Sequence, residues 1–231
     1  MIESRSLSII MDNQPITYKD AIYKMQCIVA EISENKHNNT GWLLEHAPIY
    51  TSGYTTFHNW VEKYGYNING VELVESERGG QITFHGPGQR ICYLMVNLKS
   101  IYGSLDLSSF LSDIHQLIID VLVDFNIEGI RDKQYPGVWV KSGKMLKKIA
   151  AIGIKIKKSV SYHGFALNVN TDMRFFNFIE PCGISETSRG VTSIYEILKT
   201  DIKMENVDKK IQEKLKILSQ NWNLKKSLIN Y

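Results

Sequence analysis

The chain has 231 residues, of which 43% are hydrophobic and 22% charged, and its formal net charge is +3. This length can bury a sizeable core, so we expect a single domain over residues 1–231. The composition excludes disordered and fibrous proteins, and the small net charge gives no reason to expect nucleic acid as a partner. Since no apolar run reaches the length of a membrane span and no signal region opens the chain, we expect no membrane partner.

The cysteines indicate a reduced compartment, because Cys27, Cys92 and Cys182 form no CxxC pair and are odd in number. The cytoplasm is therefore the expected location. Cys27 lies in a predicted helix and Cys92 in an apolar strand, so both are expected to be core or near-core residues. Cys182 lies between proline and glycine, which places it on a loop. If one cysteine is reactive, we expect it to be Cys182.

The first half of the chain predicts one helix followed by strands. A helix is expected from about Tyr18 to Ser33, where apolar residues recur at helical spacing. Residues 41–50 are predicted to form one strand. Two further strands, 71–75 and 90–98, flank a glycine-rich loop, and the second is apolar enough to be buried on both faces.

The second half begins with the strongest helix signal, an apolar stripe from Leu107 to Phe125. Three successive strands are predicted at 137–141, 148–157 and 160–170. Ser193 and Glu196 then fit a capping box that opens a short helix. A final apolar helical face runs from Val207 to Trp222. We therefore expect an α/β fold of the α+β type, with a mixed sheet and more strands than helices.

The glycine-rich loop, residues 77–89 (ERGGQITFHGPGQ), is open to two interpretations. It is either an elaborate tight hairpin or a cradle for a ligand. Phosphate binding is disfavoured because the loop lacks the Gly-Lys-Ser/Thr ending of a P-loop and has Ile91 in place of the third glycine of a dinucleotide fingerprint. The loop also runs into a strand rather than a helix. We expect no cofactor.

Lys148 stands at the entry of an apolar segment, Ile149 to Gly153. If the ammonium is partly buried, its pKa falls and it becomes a base or an anion partner; the alternative is a solvated lysine at a strand end. A nearby cation or base would favour the thiolate of Cys182, and His85 and His163 are also contenders for that role. A zinc site is not supported, since there is no HExxH pattern.

In chain order, these segments resemble the lipoyl(octanoyl) transferase family. The matching motifs are Glu45-His-Ala-Pro-Ile-Tyr50, Arg78-Gly-Gly-Gln-Ile-Thr-Phe-His85-Gly-Pro-Gly-Gln89, Pro136-Gly-Val-Trp-Val140, Lys148-Ile-Ala-Ala-Ile-Gly153, His163-Gly-Phe-Ala-Leu-Asn168 and Pro181-Cys-Gly-Ile184. The resemblance covers roughly residues 40 to 200. One departure is Tyr54, at a position where the family pattern leads us to expect a basic residue.

The resemblance implies the catalytic fold of the biotin and lipoate protein ligases. It also implies transfer of an octanoyl or lipoyl group from acyl carrier protein to a lysine of a lipoyl domain. The implied acceptors are the lipoyl domains of 2-oxoacid dehydrogenases and the glycine cleavage H protein. Neither a cofactor nor a metal is implied.

The resemblance also implies roles for individual residues. Cys182 matches the thioester-forming nucleophile, and Lys148 matches the residue that lowers its pKa. The implied substrate-binding residues form three segments: Arg78, Gly79, Gly80, Gln81, Ile82, Thr83, Phe84 and His85; Ala151, Ile152 and Gly153; and Gly164, Phe165 and Ala166.

Two other functions remain open from the sequence. An ATP-dependent lipoate or biotin protein ligase would use the same fold and a lysine but no nucleophilic cysteine. A module that only binds lipoyl domains or acyl carriers would need neither. The lysines at 141, 144, 147, 155, 157 and 158 form either a basic face for an acidic carrier protein or an ordinary solvated surface.

Overall fold

The strands form two sheets, and the strands of the smaller sheet are consecutive in the sequence. The computed structural model describes residues 7–78, 80–132, 135–180 and 189–229. Within these ranges the elements are β1 (Ser8–Met11), α1 (Tyr18–Ser33), β2 (Thr40–Leu44), β3 (Ile49–Ser52), α2 (Tyr54–Tyr64), β4 (Asn67–Ile68), β5 (Val71–Glu75), β6 (Thr83–His85), β7 (Gln89–Met95), α3 (Leu98–Tyr102), α4 (Leu107–Val123), β8 (Ile130–Arg131), β9 (Val138–Ser142), β10 (Met145–Lys157), β11 (Val160–Asn168), a 3₁₀ helix (Met173–Phe178), β12 (Arg189–Val191), α5 (Ile194–Leu198) and α6 (Met204–Ile229).

The larger sheet has the order β1-β2-β7-β11-β10-β9-β8, and the smaller one has the order β4-β5-β3-β6. Parallel and antiparallel pairs occur in both sheets, so the predicted mixed-sheet α+β fold is confirmed. Within the described ranges no helix is both long and apolar enough to cross a membrane.

Strand β10 has different partners along its length. Its second half pairs with β11, from Ala150↔Leu167 to Lys157↔Val160. Its first half pairs with β9 on one edge and with β12, in parallel, on the other. Strand β12 therefore continues the sheet beside β10 where β11 has ended, and Lys148 lies opposite Val191 in that pairing.

The two faces of the larger sheet carry different cores. One face packs against the apolar residues of α3, α4 and α6, such as Ile101, Phe110 and Leu215. The other packs against α1 through Met25 and Val29. The stripes predicted from the sequence are thus the buried faces of α1, α4 and α6, as expected for helices lying on a sheet.

A buried ion pair fixes α6 to the sheet. Arg90 in β7 donates from Nη2 to Asp208 Oδ2 over 2.9 Å, and both side chains are almost fully buried. Burial raises the pKa of Asp208, and the Arg90 guanidinium opposes that shift. Since removing either partner would leave an uncompensated buried charge, the pair specifies where the C-terminal helix lies on the sheet.

Three sequence-based predictions require correction. Residues 41–50 form two strands in different sheets, β2 and β3, because the chain turns through Ala47 and Pro48, and proline cannot donate to a strand ladder. The strand predicted at 90–98 ends at Met95, since Asn97 caps α3 by accepting from Ser100 N.

Cys27 is the third correction. It lies on α1 but is exposed, because it falls outside the stripe of Ala21, Met25 and Val29 that faces the sheet. Cys92 is buried as predicted. Helix α2 was not predicted, and only its Phe57 is buried.

We expect Gly164→Ala to lower the free energy of unfolding by about 3 kcal/mol, at the upper end for overpacking a core position. A methyl group on Gly164 would overlap the carbonyl oxygen of Cys92 in the neighbouring strand, and backbone cannot move away cheaply. Urea denaturation measures the change.

Gly190→Ala is the matched control, because its new methyl group would lie 4.0 Å from the nearest side-chain atoms. It should change stability by less than about 0.5 kcal/mol. Equal stabilities for the two variants would contradict the crowding at Gly164.

Candidate active site

A cavity of about 360 Å³ lies between the larger sheet and the glycine-rich loop. Its floor comes from β7, β10 and β11, and the loop and β6 supply the opposite wall. Tyr18 of α1 and the residues Tyr135 and Pro136 before β9 complete it. The three segments predicted to bind substrate are therefore brought together from positions up to about 90 residues apart in sequence.

Small residues make the floor of the cavity deep. Ala151 lies directly opposite Ala166, and Gly153 lies opposite Gly164, in the antiparallel pairing of β10 with β11. The pair Ile152–Phe165 lies between them and faces the other side of the sheet, so these two pairs are neighbours on the cavity face and leave a trough in its surface. Over Gly153 the trough is closed by Arg78, whose Cδ would lie 3.1 Å from an added Cβ.

The predicted loop residues divide between two sides of the loop. Arg78, Gly80, Gln81, Thr83 and His85 line the cavity. Ile82 and Phe84 do not line it and instead pack in the core of the smaller sheet with Tyr50 and Phe57. This division follows from the alternation of β6, which sends Thr83 and His85 to one face and Phe84 to the other. Gly79 lies outside the described residues. Ile152 and Phe165 border the cavity, but their side chains pack in the core beneath the helices, on the other face of the sheet.

Lys148 is buried at one end of the cavity, with 4% of its surface exposed. A β-bulge between Lys148 and Ala150 lets both Ile149 and Ala150 enter the core beneath the helices, while Lys148 remains on the cavity side. Its Nζ lies 5.0 Å from the centre of the Trp139 ring. The aliphatic stem packs on Gly137, where a Cβ would lie 3.3 Å from Lys148 Cδ.

No described carboxylate forms an ion pair with Lys148. A buried ammonium needs compensation from a nearby anion or from aromatic faces. Trp139 supplies an aromatic face. Because no described anion is paired with the ammonium group, the site is chemically suited to bind one. The solvated alternative for Lys148 is excluded by its burial.

His85 is locked by a hydrogen-bonded chain. Arg78 Nη2 donates to Thr51 Oγ1 over 2.8 Å, and Thr51 Oγ1 lies 3.2 Å from His85 Nε2. His85 Nδ1 lies 2.7 Å from Gln89 Oε1. Since Gln89 Nε2 donates to Asn168 Oδ1 over 2.9 Å, the amide oxygen of Gln89 must be the acceptor. His85 thus carries its proton on Nδ1.

This arrangement decides the role of His85. Burial lowers its pKa to about 3, so the ring is neutral. Its Nε2 lone pair already accepts from the Thr51 hydroxyl group. A neutral histidine with both nitrogens engaged is an orienting residue rather than a general base.

His163 lies at the end of the cavity away from Lys148. Its φ of +61° falls in the left-handed region, within β11, which is uncommon for a residue other than glycine. Its ring stacks on that of Tyr162, at 5.1 Å between centroids. Consecutive strand side chains normally point to opposite faces, so the unusual φ brings these two rings together. Burial lowers the pKa of His163 to about 3, which makes it a neutral wall residue.

Cys182 lies in 181–188, outside the described residues. The chain after this segment enters β12, whose Val191 pairs with Lys148. Cys182 precedes Arg189 by seven residues, a reach of at most about 25 Å. Of the other cysteines, burial raises the pKa of Cys92 far above its usual range, which makes it a poor nucleophile.

Several residues of the site were not singled out from the sequence. Tyr18 and Tyr93 line the cavity end near His163, and Tyr135 lies near Lys148. Thr51, which connects Arg78 to His85 through hydrogen bonds, lies in β3 directly after the motif Glu45–Tyr50. Only the position of Gln89, at the end of the glycine-rich loop, gave a sequence signal. Among the described residues no group of three or more histidines, cysteines and carboxylates is placed to hold a metal ion.

Comparisons with known proteins agree with this geometry. The family model for the lipoyl protein ligase A/B catalytic domain matches residues 17–216. An octanoyltransferase of Wolbachia pipientis wMel is 40% identical over 189 residues, which cover 81% of this chain and 88% of that protein. One of Rhodopseudomonas palustris strain BisA53 is 37% identical, covering 86% of this chain and 83% of its own.

The chain belongs to the octanoyltransferase family. Solved structures show the same fold at low sequence identity. Lipoate-protein ligase A bound with ATP superposes with a TM-score of 0.69 at 13% identity, covering 93% of this chain and 85% of that one. The bipartite lipoate protein ligase of Thermoplasma acidophilum gives a TM-score of 0.65 at 13% identity, over 93% and 84% of the two chains. Family membership makes the protein an acyltransferase.

The buried histidines predict a loss of stability in mild acid. Burial lowers the pKa of His46 to about 4 and those of His85 and His163 to about 3, against about 6.5 in the unfolded chain. The unfolded chain therefore binds more protons between these values. Stability is fully present above pH 6.5 and is lost as pH falls toward 3, by at most about 1.4 kcal/mol per pH unit for each histidine.

Urea unfolding between pH 7 and pH 4.5 measures this slope. His85→Gln should give a shallower slope than wild type, because one of the three protonations is removed. Tyr50→Phe removes a hydrogen bond to the Phe175 carbonyl group and touches no histidine, so it should lower stability with the wild-type slope. The same slope for His85→Gln and wild type would rule out the assignment to His85.

Proposed function

We propose that this octanoyltransferase moves an octanoyl or lipoyl group from acyl carrier protein to a lysine of a lipoyl domain, through a thioester on Cys182. The whole chain, 1–231, is proposed to act as one catalytic domain. The observation that carries the proposal is Lys148, a buried ammonium without a described anion, at the end of an apolar trough. The strand that follows Cys182 pairs directly beside it.

The cavity suits an acyl chain more than a nucleotide. Its floor is built of the cross-strand pairs Ala151–Ala166 and Gly153–Gly164, which offer apolar surface and no charge. At about 3.3 Å per strand residue, the five steps from Lys148 to Gly153 span about 16 Å. An extended chain of eight carbons fits within this length, with its carbonyl group beside Lys148.

The first step forms the acyl-enzyme. The Lys148 ammonium stabilises the Cys182 thiolate, whose sulfur attacks the carbonyl carbon of the donor thioester. The new carbon–sulfur bond forms and the bond to the carrier's pantetheine sulfur breaks. Lys148 gives its proton to the departing thiolate, so the carrier leaves as a thiol and Lys148 becomes neutral.

The second step transfers the acyl group. The neutral amine of Lys148 takes a proton from the attacking amine of the acceptor lysine. The nitrogen–carbon bond forms, the bond to the Cys182 sulfur breaks, and the thiolate is restored beside a charged Lys148. The donor thioester supplies the free energy, so the proposed reaction consumes no ATP. A reduced compartment such as the cytoplasm suits this free thiol.

The proposed partners are an acyl carrier protein and the lipoyl domains of 2-oxoacid dehydrogenases and the glycine cleavage H protein. Lys141, Lys144, Lys155, Lys157 and Lys158 are exposed on the β9–β10–β11 part of the sheet, and Lys147 is half-buried. Lys141, Lys144 and Lys147 lie at or beside the start of β10, near Lys148, whereas Lys155, Lys157 and Lys158 lie at or beside the far end of this strand. The first group is the docking surface proposed for an acidic carrier.

Intact-protein mass after mixing with octanoyl-acyl carrier protein, without ATP, tests the covalent step. Wild type should gain one octanoyl group, and apo lipoyl domain should remove it. Cys182→Ala should gain none, and Lys148→Ala should acylate at least about 100-fold more slowly, since the thiolate loses its partner.

Two controls separate this mechanism from incidental acylation. Cys27→Ala removes the exposed cysteine of α1 and should acylate like wild type. Lys147→Ala removes the preceding lysine and should retain most of the rate at a saturating concentration of the donor. An adduct that survives in Cys182→Ala would refute the nucleophile. Modification of lipoyl domain only with free acid and ATP would favour an ATP-dependent ligase instead.

Carrier docking should depend on salt. Raising ionic strength from about 0.05 to 0.5 M should lower kcat/KM for octanoyl-acyl carrier protein, because screening slows electrostatically steered association. Lys144→Glu should lower it by about three- to tenfold at low salt. Lys216→Glu, on the exposed side of α6, makes the same charge change elsewhere and should have little effect. Equal effects of the two variants would rule out the proposed docking surface.

A further inference from the structure

Thr192 connects the strand of Lys148 to the segment that returns from Cys182. Its backbone N–H donates to the carbonyl oxygen of Lys148 over 2.9 Å. Thr192 directly follows β12, which leaves the segment 181–188. The position of Thr192 therefore sets how the chain leaving that segment is placed relative to Lys148.

The side chain of Asn168 holds Thr192 from its other side. Asn168 Nδ2 donates to the carbonyl oxygen of Thr192 over 2.9 Å, and Asn168 is 5% exposed. Both backbone groups of Thr192 are thus engaged, one by Lys148 and one by Asn168. Asn168 is the last residue of β11, at the point where β12 takes over as the neighbour of β10.

Asn168 is itself oriented by the glycine-rich loop. Its Oδ1 accepts from Gln89 Nε2 over 2.9 Å, and Gln89 also accepts from His85 and donates to the Phe84 carbonyl group. The carboxamide of Asn168 therefore has its oxygen toward the loop and its nitrogen toward Thr192. Asn168 and Lys148 also border the same small recess, with Val191 of β12.

We propose that Asn168 is a positioning residue, whose amide fixes Thr192 and the strand returning from Cys182 against Lys148. This inference rests on the proposed dyad of Cys182 and Lys148. Asn168 contacts neither the acyl group nor the thiol in this role. It acts through backbone that a shorter side chain would release, and a small displacement of reacting groups costs much of the rate.

The experiment compares two asparagines. Asn168→Ala should raise the midpoint pH for alkylation of Cys182 by iodoacetamide by about one unit, since the thiolate lies farther from Lys148. It should lower kcat about ten- to a hundredfold and leave KM for octanoyl-acyl carrier protein within about twofold. Peptide mass spectrometry reads alkylation at Cys182 alone, apart from the exposed Cys27.

Asn170→Ala is the matched control. Asn170 lies two residues farther along and also makes two side-chain hydrogen bonds, both with the backbone of Ile202: its Nδ2 donates to Ile202 O over 2.8 Å and its Oδ1 accepts from Ile202 N over 3.2 Å. Its loss should cost comparable stability but leave the alkylation midpoint and kcat as in wild type. Asn168→Leu keeps nearly the same volume, and it carries the test if the alanine variant does not fold.

Two results would overturn the positioning role: no shift in either Asn168 variant, or equal shifts in the Asn168 and Asn170 variants. Lys148→Ala distinguishes this failure from failure of the dyad. If Lys148→Ala raises the midpoint and Asn168→Ala does not, only the positioning role falls. If Lys148→Ala leaves the midpoint unchanged, the dyad and the positioning role fall together.

Discussion

The site depends on one constraint, the burial of Lys148. Its ammonium group is removed from water, and no described carboxylate pairs with it. Burial of such a charge is costly, so the surrounding structure must prevent Lys148 from reaching solvent. The bulge after Lys148 commits the next two residues to the core beneath the helices. Trp139 offers an aromatic face, and Gly137 gives the stem room to lie flat. An anion arriving in the cavity therefore meets a cation that is already desolvated.

The cavity exists because the residues of its floor have small side chains or none. Two cross-strand pairs, one of alanines and one of glycines, are neighbours on the cavity face and lower the sheet surface beneath the loop. Ile82 and Phe84 anchor the loop in the core of the smaller sheet, while on its cavity side it is held by polar contacts. Arg78, Thr51 and His85 form these contacts in a fixed sense, with every donor and acceptor assigned. Rigid polar walls around an apolar floor give the site a defined shape without a ligand.

The sequence predicted well wherever a local pattern decides the structure. The stripe of α4 and the Ser193 cap of α5 follow from residues within a few positions of each other. It failed where distant contacts decide, as at residues 41–50, whose two halves belong to different sheets. The three substrate-binding segments were predicted through family resemblance, and the structure brings most of their residues together. Ile82 and Phe84 lie elsewhere, because loop residues alternate once they enter a strand.

The parallel pairing of β12 with β10 has a consequence for synthesis on the ribosome. Parallel strands are joined by long connections, and such non-local contacts form slowly. Lys148 is made early enough to pair with β9, but its partner Val191 is translated 43 residues later. Asp208 of α6, the partner of Arg90, is translated 118 residues after it. Of the described carboxylates that pair with Arg90, a nascent chain thus has at first only Glu45, 3.9 Å away in the folded protein. It also has an open sheet edge beside Lys148 until most of the protein has emerged, which exposes this stage to aggregation.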